Sequence, residues 1–324
     1  VTVSVIVPTF RRPDDLKRCL DSLKAQTCKA DEVLVVVRDT DTGTHAALDG
    51  YPSDPLSIRR IGVDVPGQVA ALNAALDATK GDVVAITDDD GAPRPEWIAR
   101  TTRWLEGEPR VGGVGGPDWT HSGEDVVDGS TGVCGTLQWW GRIDVTASLR
   151  RIPCDVDVLK GCNMTFRRTA IGEIRFDTHL AGSGAQLFND FGFCLAIRRA
   201  GWRLIYDPAI EIDHYPGTRI DDDKRDRFAY EALADAIHNR TFILKHLPPP
   251  NRIAYLTYAL LAGSRSVPGL ILLPERIVRR APNAVSYWKA TAEGHVRGIK
   301  TFLTTATADD PVLPGRRRAQ LGGT

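Results

Sequence analysis

The chain has 324 residues, and its 41 Lys and Arg balance 41 Asp and Glu to a formal net charge of zero. That balance excludes bulk electrostatic attraction to nucleic acid, and the length allows one large α/β domain with an appendage or two ordinary domains. Six cysteines (Cys19, Cys28, Cys134, Cys154, Cys162, Cys194) are scattered without a CxxC pair, which reads as reduced thiols rather than a disulfide framework.

The first element is the apolar, β-branched run "VSVIVPTF", expected to be a strand buried on both faces and ending near Pro8. No basic leader or cleavage site precedes it, so no export is expected. In "RRPDDLKRCLDSLKAQT" Leu16, Leu20 and Leu23 fall on one helical face, with Pro13 and two acids in the first turn. A second buried strand, "EVLVVVRD", is followed by a polar loop. The helix "GQVAALNAALDAT" then sets Val69, Leu72 and Leu76 in register, and "GDVVAIT" is a further strand. Strands alternating with helices in this way predict a mostly parallel sheet with helices on its faces. In such sheets ligands bind outside the carboxyl ends of the strands. Here those ends are Pro8 to Arg11, Arg38 to Asp41, and Asp88 to Asp90.

The third of these ends carries three consecutive aspartates, in "AITDDDGAPRPEW". Carboxylates about 5 Å apart repel by about 3 kcal/mol per pair at an effective dielectric of about 20, so the triplet needs a compensating partner or open water. A hard divalent cation such as Mg²⁺ or Mn²⁺, completed by phosphate oxygens of a substrate, is one such partner. Asp88 and Asp90, flanking one residue, could both face a single ion. A helix-capping acidic loop is the plainer alternative.

Farther along, "RVGGVGGPDWTHSGEDVVDGS" shifts to glycine and suggests a flexible connection between sub-domains. "NDFGFCLAIRRAGWRLIYDP" reads as helix, glycine stop and strand, and "DRFAYEALADAIHNRTFILKHLP" as a long amphipathic helix ended by prolines. The apolar segment "RIAYLTYALLAGSRSVPGLILLPERIVRR" is broken by Arg265 and Pro268, so neither half reaches the about 20 residues needed to span a bilayer. Ile253, Leu256, Leu260 and Leu261, flanked by Arg252 and Arg265, would suit a helix on an anionic membrane surface or one packed on protein. The expected location is the cytoplasm, with peripheral membrane contact through residues 252–280 as an option. A basic, glycine-ended tail closes the sequence.

"SVIVPTFRRPDDLKRCLDSLKAQT", "VLVVVRD", "PGQVAALNAAL" and "GDVVAITDDDGAPRPEWI" occur in the order and approximate spacing of the inverting family 2 glycosyltransferases of GT-A fold, which the chain resembles up to about Pro216. The resemblance implies a Rossmann-like, mostly parallel sheet with flanking helices, plus a C-terminal helical extension. It divides the chain into a nucleotide-sugar-binding half (1–116), an acceptor and catalytic half (117–247) and the extension with its tail (248–324). It assigns Pro8, Thr9, Arg11, Asp39, Asn73, Asp88 and Asp89 to a nucleoside diphosphate-sugar donor. Asp88 and Asp90 would hold Mg²⁺ or Mn²⁺, with His214 of "YDPAIEIDHYP" completing the metal site or contacting the diphosphate.

"SGAQLFNDFGFCLAIRRAGW" resembles the family's helix-start motif, usually Glu-Asp. Here the pair is Asn189 and Asp190, so the base role passes to Asp190, which would accept the proton of the acceptor hydroxyl as it attacks the anomeric carbon. Gly161, Cys162 and Asn163 of "LKGCNMTFRR", with Asn189, are expected near a carbohydrate or lipid-linked acceptor. Trp139 and Trp140 could stack on a sugar ring. Two departures leave the donor base open: Val37, Arg38 and Asp39 stand where an acidic pair is usual, and Leu72 precedes Asn73 where an arginine is common. Competing readings are a degenerate binding or scaffold protein on the same fold, and a phosphatase using the aspartate motif as nucleophile.

Overall fold

A computed structural model describes residues 1–122, 125–127, 135–140, 142–144, 151–217, 229–263, 269–272, 274–275 and 283–305. The elements run β1 (Val3–Thr9), α1 (Pro13–Lys24), β2 (Glu32–Arg38), α2 (Thr42–Asp49), β3 (Ile58–Val63), α3 (Gln68–Ala78) and β4 (Val83–Ile86). They continue as β5 (Gly91–Pro93), α4 (Trp97–Gly107), β6 (Val111–Gly115), β7 (Asp118–Ser122), β8 (Asp125–Val127), β9 (Thr136–Leu137), β10 (Ile143–Asp144), β11 (Cys154–Val156) and β12 (Met164–Arg167). The last are α5 (Arg168–Ile171), α6 (Asn189–Arg199), β13 (Arg203–Tyr206), β14 (Ile212–His214), α7 (Tyr230–Phe242), α8 (Pro249–Leu261) and α9 (Ala284–Thr305).

The strands expected from the apolar runs form the middle of an eight-stranded sheet of order β11-β13-β6-β12-β4-β1-β2-β3. β4, β1, β2 and β3 are parallel, β12 runs antiparallel between β4 and β6, and β13 returns parallel to β6. Alternate residues feed two faces. Val3, Val5 and Val7 pack with Leu16, Leu20 and Leu23 of α1, while Ile6, Val84 and Ile86 pack with Val69, Leu72 and Leu76 of α3. Strands from both halves of the chain thus complete one sheet.

The glycine-rich stretch is not a flexible connection where it is described. Val111–Gly115 is a fully buried central strand, and its glycines are demanded by close packing. A Cβ on Gly113 would stand 2.5 Å from the Phe166 ring, and one on Gly112 would stand 2.6 Å from Trp202 Cβ. Residues 123–124 and 128–134 of that region, including Cys134, lie outside the described residues. None of the five described cysteines is disulfide-bonded.

A second, four-stranded sheet, β5-β14-β7-β8, follows directly from the aspartate turn. It brings Gly91 opposite His214 and sets Ile212 beside Asp118. In the extension, α9 lies along α7, with Gly294 and Gly298 facing the Ala234 and His238 carbonyls. Among the described residues, no helix is long and apolar enough to cross a membrane. Ile253, Leu260, Leu261, Leu270 and Ile271 are exposed. Arg252, expected to face headgroups, instead donates to the Leu247 and Lys245 carbonyls and covers the Phe302 ring. Arg265 and the basic tail lie outside the described residues.

Candidate active site

A cleft of about 320 Å³ opens at the carboxyl ends of β1, β2 and β4 and is closed on its far side by the start of α6. Its walls include Pro8, Thr9, Asp88 and Asp90 from one half of the sheet and Lys160, Gly161, Cys162, Asn189 and Asp190 from the other, with His214 between them. Val36, Leu72 and Ile86 supply an apolar floor.

The turn after β1 shows how a local conformation selects a side chain. Arg11 adopts a left-handed conformation (φ 55°), and its amide donates to the buried Asp41 carboxylate. Its own side chain is exposed and does not line the cleft, contrary to expectation. Arg12 does. Its Nη2 lies 2.6 Å from Asp89 Oδ1, its Nε donates to Asp89 Oδ2 at 3.1 Å and its Nη1 reaches Asp90 Oδ2 at 3.2 Å. The triplet therefore has a partner within the chain itself. Asp89 is wholly buried and paired with Arg12 behind the cleft, not on its surface, and burial pushes its carboxyl up to about 8 against the pull of Arg12.

Asp88 keeps to the cleft, where Gln68 Nε2 donates to its Oδ1 at 3.0 Å. Burial and the neighbouring Asp90 raise its pKa. For Asp90, burial opposes ionisation, but the hydrogen bond and charge of His214, Arg12 and the Gly217 amide hold it well below the usual carboxylate range. Burial likewise opposes charge on His214, yet Asp118 and Asp90 raise it to about 9. Its Nδ1 lies 3.0 Å from Asp118 Oδ2 and its Nε2 3.4 Å from Asp90 Oδ1.

Donor atoms of Asp118, Cys162 and His214 lie within 4.8 Å of one another. Among the described residues, the expected trio of Asp88, Asp90 and His214 does not form such a group, although His214 Nε2 is 3.4 Å from Asp90 Oδ1; Asp88 is engaged by Gln68. Burial pushes the Cys162 thiol well above its usual pKa. Asp118 is already engaged by His214 and the Lys160 ammonium. The oxygen donors of Asp88 and Asp90 have the chemistry that Mg²⁺ and Mn²⁺ prefer, and the imidazole nitrogen of His214 suits Mn²⁺.

Opposite them, Phe188 takes a left-handed conformation (φ 71°) and starts α6. Asp190 thereby sits in the first turn, its Oδ1 accepting from the Phe191 amide at 2.9 Å and its Oδ2 from the Gly161 amide at 3.0 Å. Burial drives its pKa up to about 6, offset in part by those two amides. Asn189 joins this edge to the aspartates, because its Nδ2 donates to Gln68 Oε1 at 3.2 Å and Gln68 in turn donates to Asp88.

Other expected positions fall elsewhere. Asn73 exchanges hydrogen bonds of 2.8 and 2.9 Å with the backbone of Phe176 and does not line the cleft. Asp39 is exposed at the end of β2, where its carboxylate lies over Gly62. Asn163 is buried beneath the site, bonded to Trp97 Nε1 and to the Pro117 and Ile210 carbonyls. Trp139 is 73% exposed and Trp140 packs edge-on against Tyr258 at 4.6 Å, both away from the cleft. Sequence reasoning missed Arg12, Gln68, Asp118 and Lys160, and it placed Arg38 at the ligand edge without giving it a role. Arg38 lines the cleft with its guanidinium 5.3 Å from the Phe10 ring.

The aspartates follow β4, after three earlier strands, which is not the first-strand position that the phosphatase reading requires. The architecture is shared with solved glycosyltransferases. A mannosyltransferase from Pyrobaculum calidifontis, solved with GDP-Man and Mn²⁺, superposes with a TM-score of 0.53 at 20% identity, covering 93% of this chain and 86% of that one. TarS residues 1–349 from S. aureus, solved with UDP-GlcNAc, gives 0.59 at 15% identity, covering 95% and 91%. These likenesses define the GT-A fold.

The sequence profile of Glycosyl transferase family 2 matches residues 4–175, more than half of the chain, which belongs to that family. Among curated relatives, the glycosyltransferase AglE of Haloferax volcanii is 29% identical over 32% of this chain and 36% of its own length. The glucosyl-dolichyl phosphate glucuronosyltransferase of the same organism is 24% identical over 65% of this chain and 68% of its own. The succinoglycan biosynthesis protein ExoM of Rhizobium meliloti is 25% identical over 64% of each. The chain thus spans about a third of AglE and about two thirds of the other two.

Proposed function

We propose that this chain is a metal-dependent, inverting glycosyltransferase, moving a sugar from a nucleoside diphosphate donor to a hydroxyl of a glycan, lipid-linked or small-molecule acceptor. The observation that carries the reading is the placement of Asp190 across one cleft from Asp88 and Asp90, with a pKa raised toward neutrality. A carboxylate near pKa 6 is mostly ionised at neutral pH and still basic enough to take a proton from an attacking hydroxyl. Its two amide donors fix the carboxylate at the cleft wall.

Asp88, Asp90 and His214 would hold Mg²⁺ or Mn²⁺. When bound, such an ion supplies Lewis-acid stabilisation of the departing diphosphate. Thr9 and Pro8 would border the nucleoside, over the apolar floor of the cleft. The exposed Ile253, Leu260, Leu261 and Ile271 support peripheral contact with a membrane, as a lipid-linked acceptor would require.

The test is the thermal stability of the purified chain with UDP, GDP, dTDP and CDP, each with and without Mn²⁺, since a ligand of the native state raises the melting temperature by mass action. A rise that needs both Mn²⁺ and one nucleotide, and that vanishes in Asp90→Ala, is expected and names the donor class. Equal rises with and without Mn²⁺ would sink the metal-dependent reading.

A further inference from the structure

Asp118 stands at the start of β7, paired to Ile212 of β14, and is 3% exposed. A carboxylate at that depth costs several kcal/mol unless it is paired and hydrogen-bonded. It has two cationic or donor partners, the Lys160 ammonium and His214 Nδ1 at 3.0 Å. The surrounding backbone is fixed as well. Asn163 Nδ2 donates to the Pro117 carbonyl at 3.1 Å, and the Ile212 amide donates to the same carbonyl at 3.1 Å. On its other edge, the His214 ring presents Nε2 to Asp90 Oδ1 at 3.4 Å.

An imidazole has two nitrogens, and the partner of one decides which tautomer and which edge the other offers. We propose that Asp118, itself anchored by Lys160, is a positioning residue that binds Nδ1–H of His214 and so commits Nε2 to the Asp88–Asp90 edge of the cleft. This inference rests on the metal-dependent reading of the site. It also separates Asp118 from a direct ligand role in the Asp118, Cys162 and His214 group. For Asp118 to ligate there through Oδ2, it would have to give up Lys160 and the Nδ1–H, both of which that oxygen accepts.

The experiment is Mn²⁺ binding, read from the electron paramagnetic resonance signal of free Mn²⁺ in the presence of UDP and, separately, of GDP. It compares the wild type with Asp118→Ala, Asp118→Asn, Cys162→Ala, His214→Ala and the Asp118→Ala/His214→Ala double variant. Removing such an outer partner of a metal-bound histidine typically weakens affinity about 10–100-fold. Asp118→Ala is expected in that range, His214→Ala at least as low, and the double variant no lower than His214→Ala. Cys162→Ala should bind as the wild type does.

Asp118→Asn keeps the volume and a carboxamide oxygen that can accept Nδ1–H. It should lose less than Asp118→Ala, and it carries the test if the alanine variant does not fold. Wild-type affinity in the Asp118 variants, or losses that add in the double variant, would overturn the positioning role. So would a Cys162→Ala loss matching that of Asp118→Ala. Wild-type chain that binds no Mn²⁺ with either nucleotide would overturn the metal reading and this inference with it. Normal binding by His214→Ala would overturn this inference alone.

Discussion

Arg12 grips Asp89 with two nitrogens, at 2.6 and 3.1 Å, while its third reaches Asp90 at 3.2 Å. One guanidinium from the β1–α1 turn thus ties together the two acids that the β4 turn buries deepest. Breaking a buried pair by removing one partner costs about 3–5 kcal/mol, because the other charge is stranded. Arg12→Met should cost that much in urea unfolding at about pH 9. Burial raises the Asp89 pKa and Arg12 holds it down to about 8, so the acid protonates at a higher pH in the variant, and the deficit should be largest at alkaline pH and shrink as pH falls through the wild-type value. Adding Asp89→Asn to Arg12→Met should recover most of the loss. A deficit independent of pH would show that packing, not charge, is what Arg12 provides.

Asp190 sets the acid side of the pH profile. With its pKa near 6, the base is ionised above that value and protonated below it, so kcat/KM should fall tenfold per pH unit below about 6. Asp190→Asn should lower kcat by about 10²–10⁴ while nucleotide affinity stays within a few-fold. Steady-state rates and nucleotide titrations on the same preparation separate the two effects. Retained kcat would remove Asp190 from the base role.

β1, β2 and β4 are legible in the sequence because they are uninterrupted apolar, β-branched runs, and α1 because Leu16, Leu20 and Leu23 repeat at helical spacing, whereas β3, half-exposed and rich in arginine, reads as polar loop. The cleft edge is legible too, since the ends of buried parallel strands are where Asp88, Asp90 and Pro8 had to fall. What was not legible is tertiary. Val111–Gly115 has the composition of a linker, and only contact with Phe166 and Trp202 explains its glycines. Arg12 and Arg11 are equivalent in the sequence until the left-handed turn turns one of them outward. Asn73 has the type and spacing of a ligand contact but spends its amide on Phe176. Asp118, buried beside His214, gives no local signal, because its partners come from β12's preceding loop and from β14.

The close approach of α9 to α7 depends on glycine. A Cβ on Gly298 would lie 2.7 Å from both the His238 carbonyl oxygen and Thr241 Cβ, contacts that backbone cannot yield cheaply. Gly298→Val should therefore destabilise by about 1–3 kcal/mol and loosen α9. Gly107, at the end of α4, has nothing within 4 Å of a built Cβ. Gly107→Ala should be neutral or stabilising by about 0.5 kcal/mol, through reduced freedom of the unfolded chain. Urea midpoints of the two variants, measured side by side, check the contrast. Equal effects would mean that the α7–α9 contact does not constrain the fold.

His214 makes stability itself depend on pH. Its folded pKa of about 9 lies above the 6.5 of an ordinary histidine, so its contribution is fully present below about pH 6.5 and is lost as pH rises through about 9. At about 1.4 kcal/mol per unit of pKa, the contribution amounts to about 3 kcal/mol. In EDTA, the stability difference between wild type and His214→Gln should be largest near pH 6 and close nearly completely by pH 10. Saturating Mn²⁺ and nucleotide should change the sign of the trend. A ligating Nε2 must give up its proton, so metal-linked stabilisation should grow with pH over the same window, and binding should release protons into a weakly buffered solution. Unfolding curves in EDTA and in Mn²⁺ across this range separate the two roles of one ring. A Mn²⁺-dependent gain that stays flat with pH would leave His214 as a counter-ion to Asp90 and Asp118 and not as a ligand.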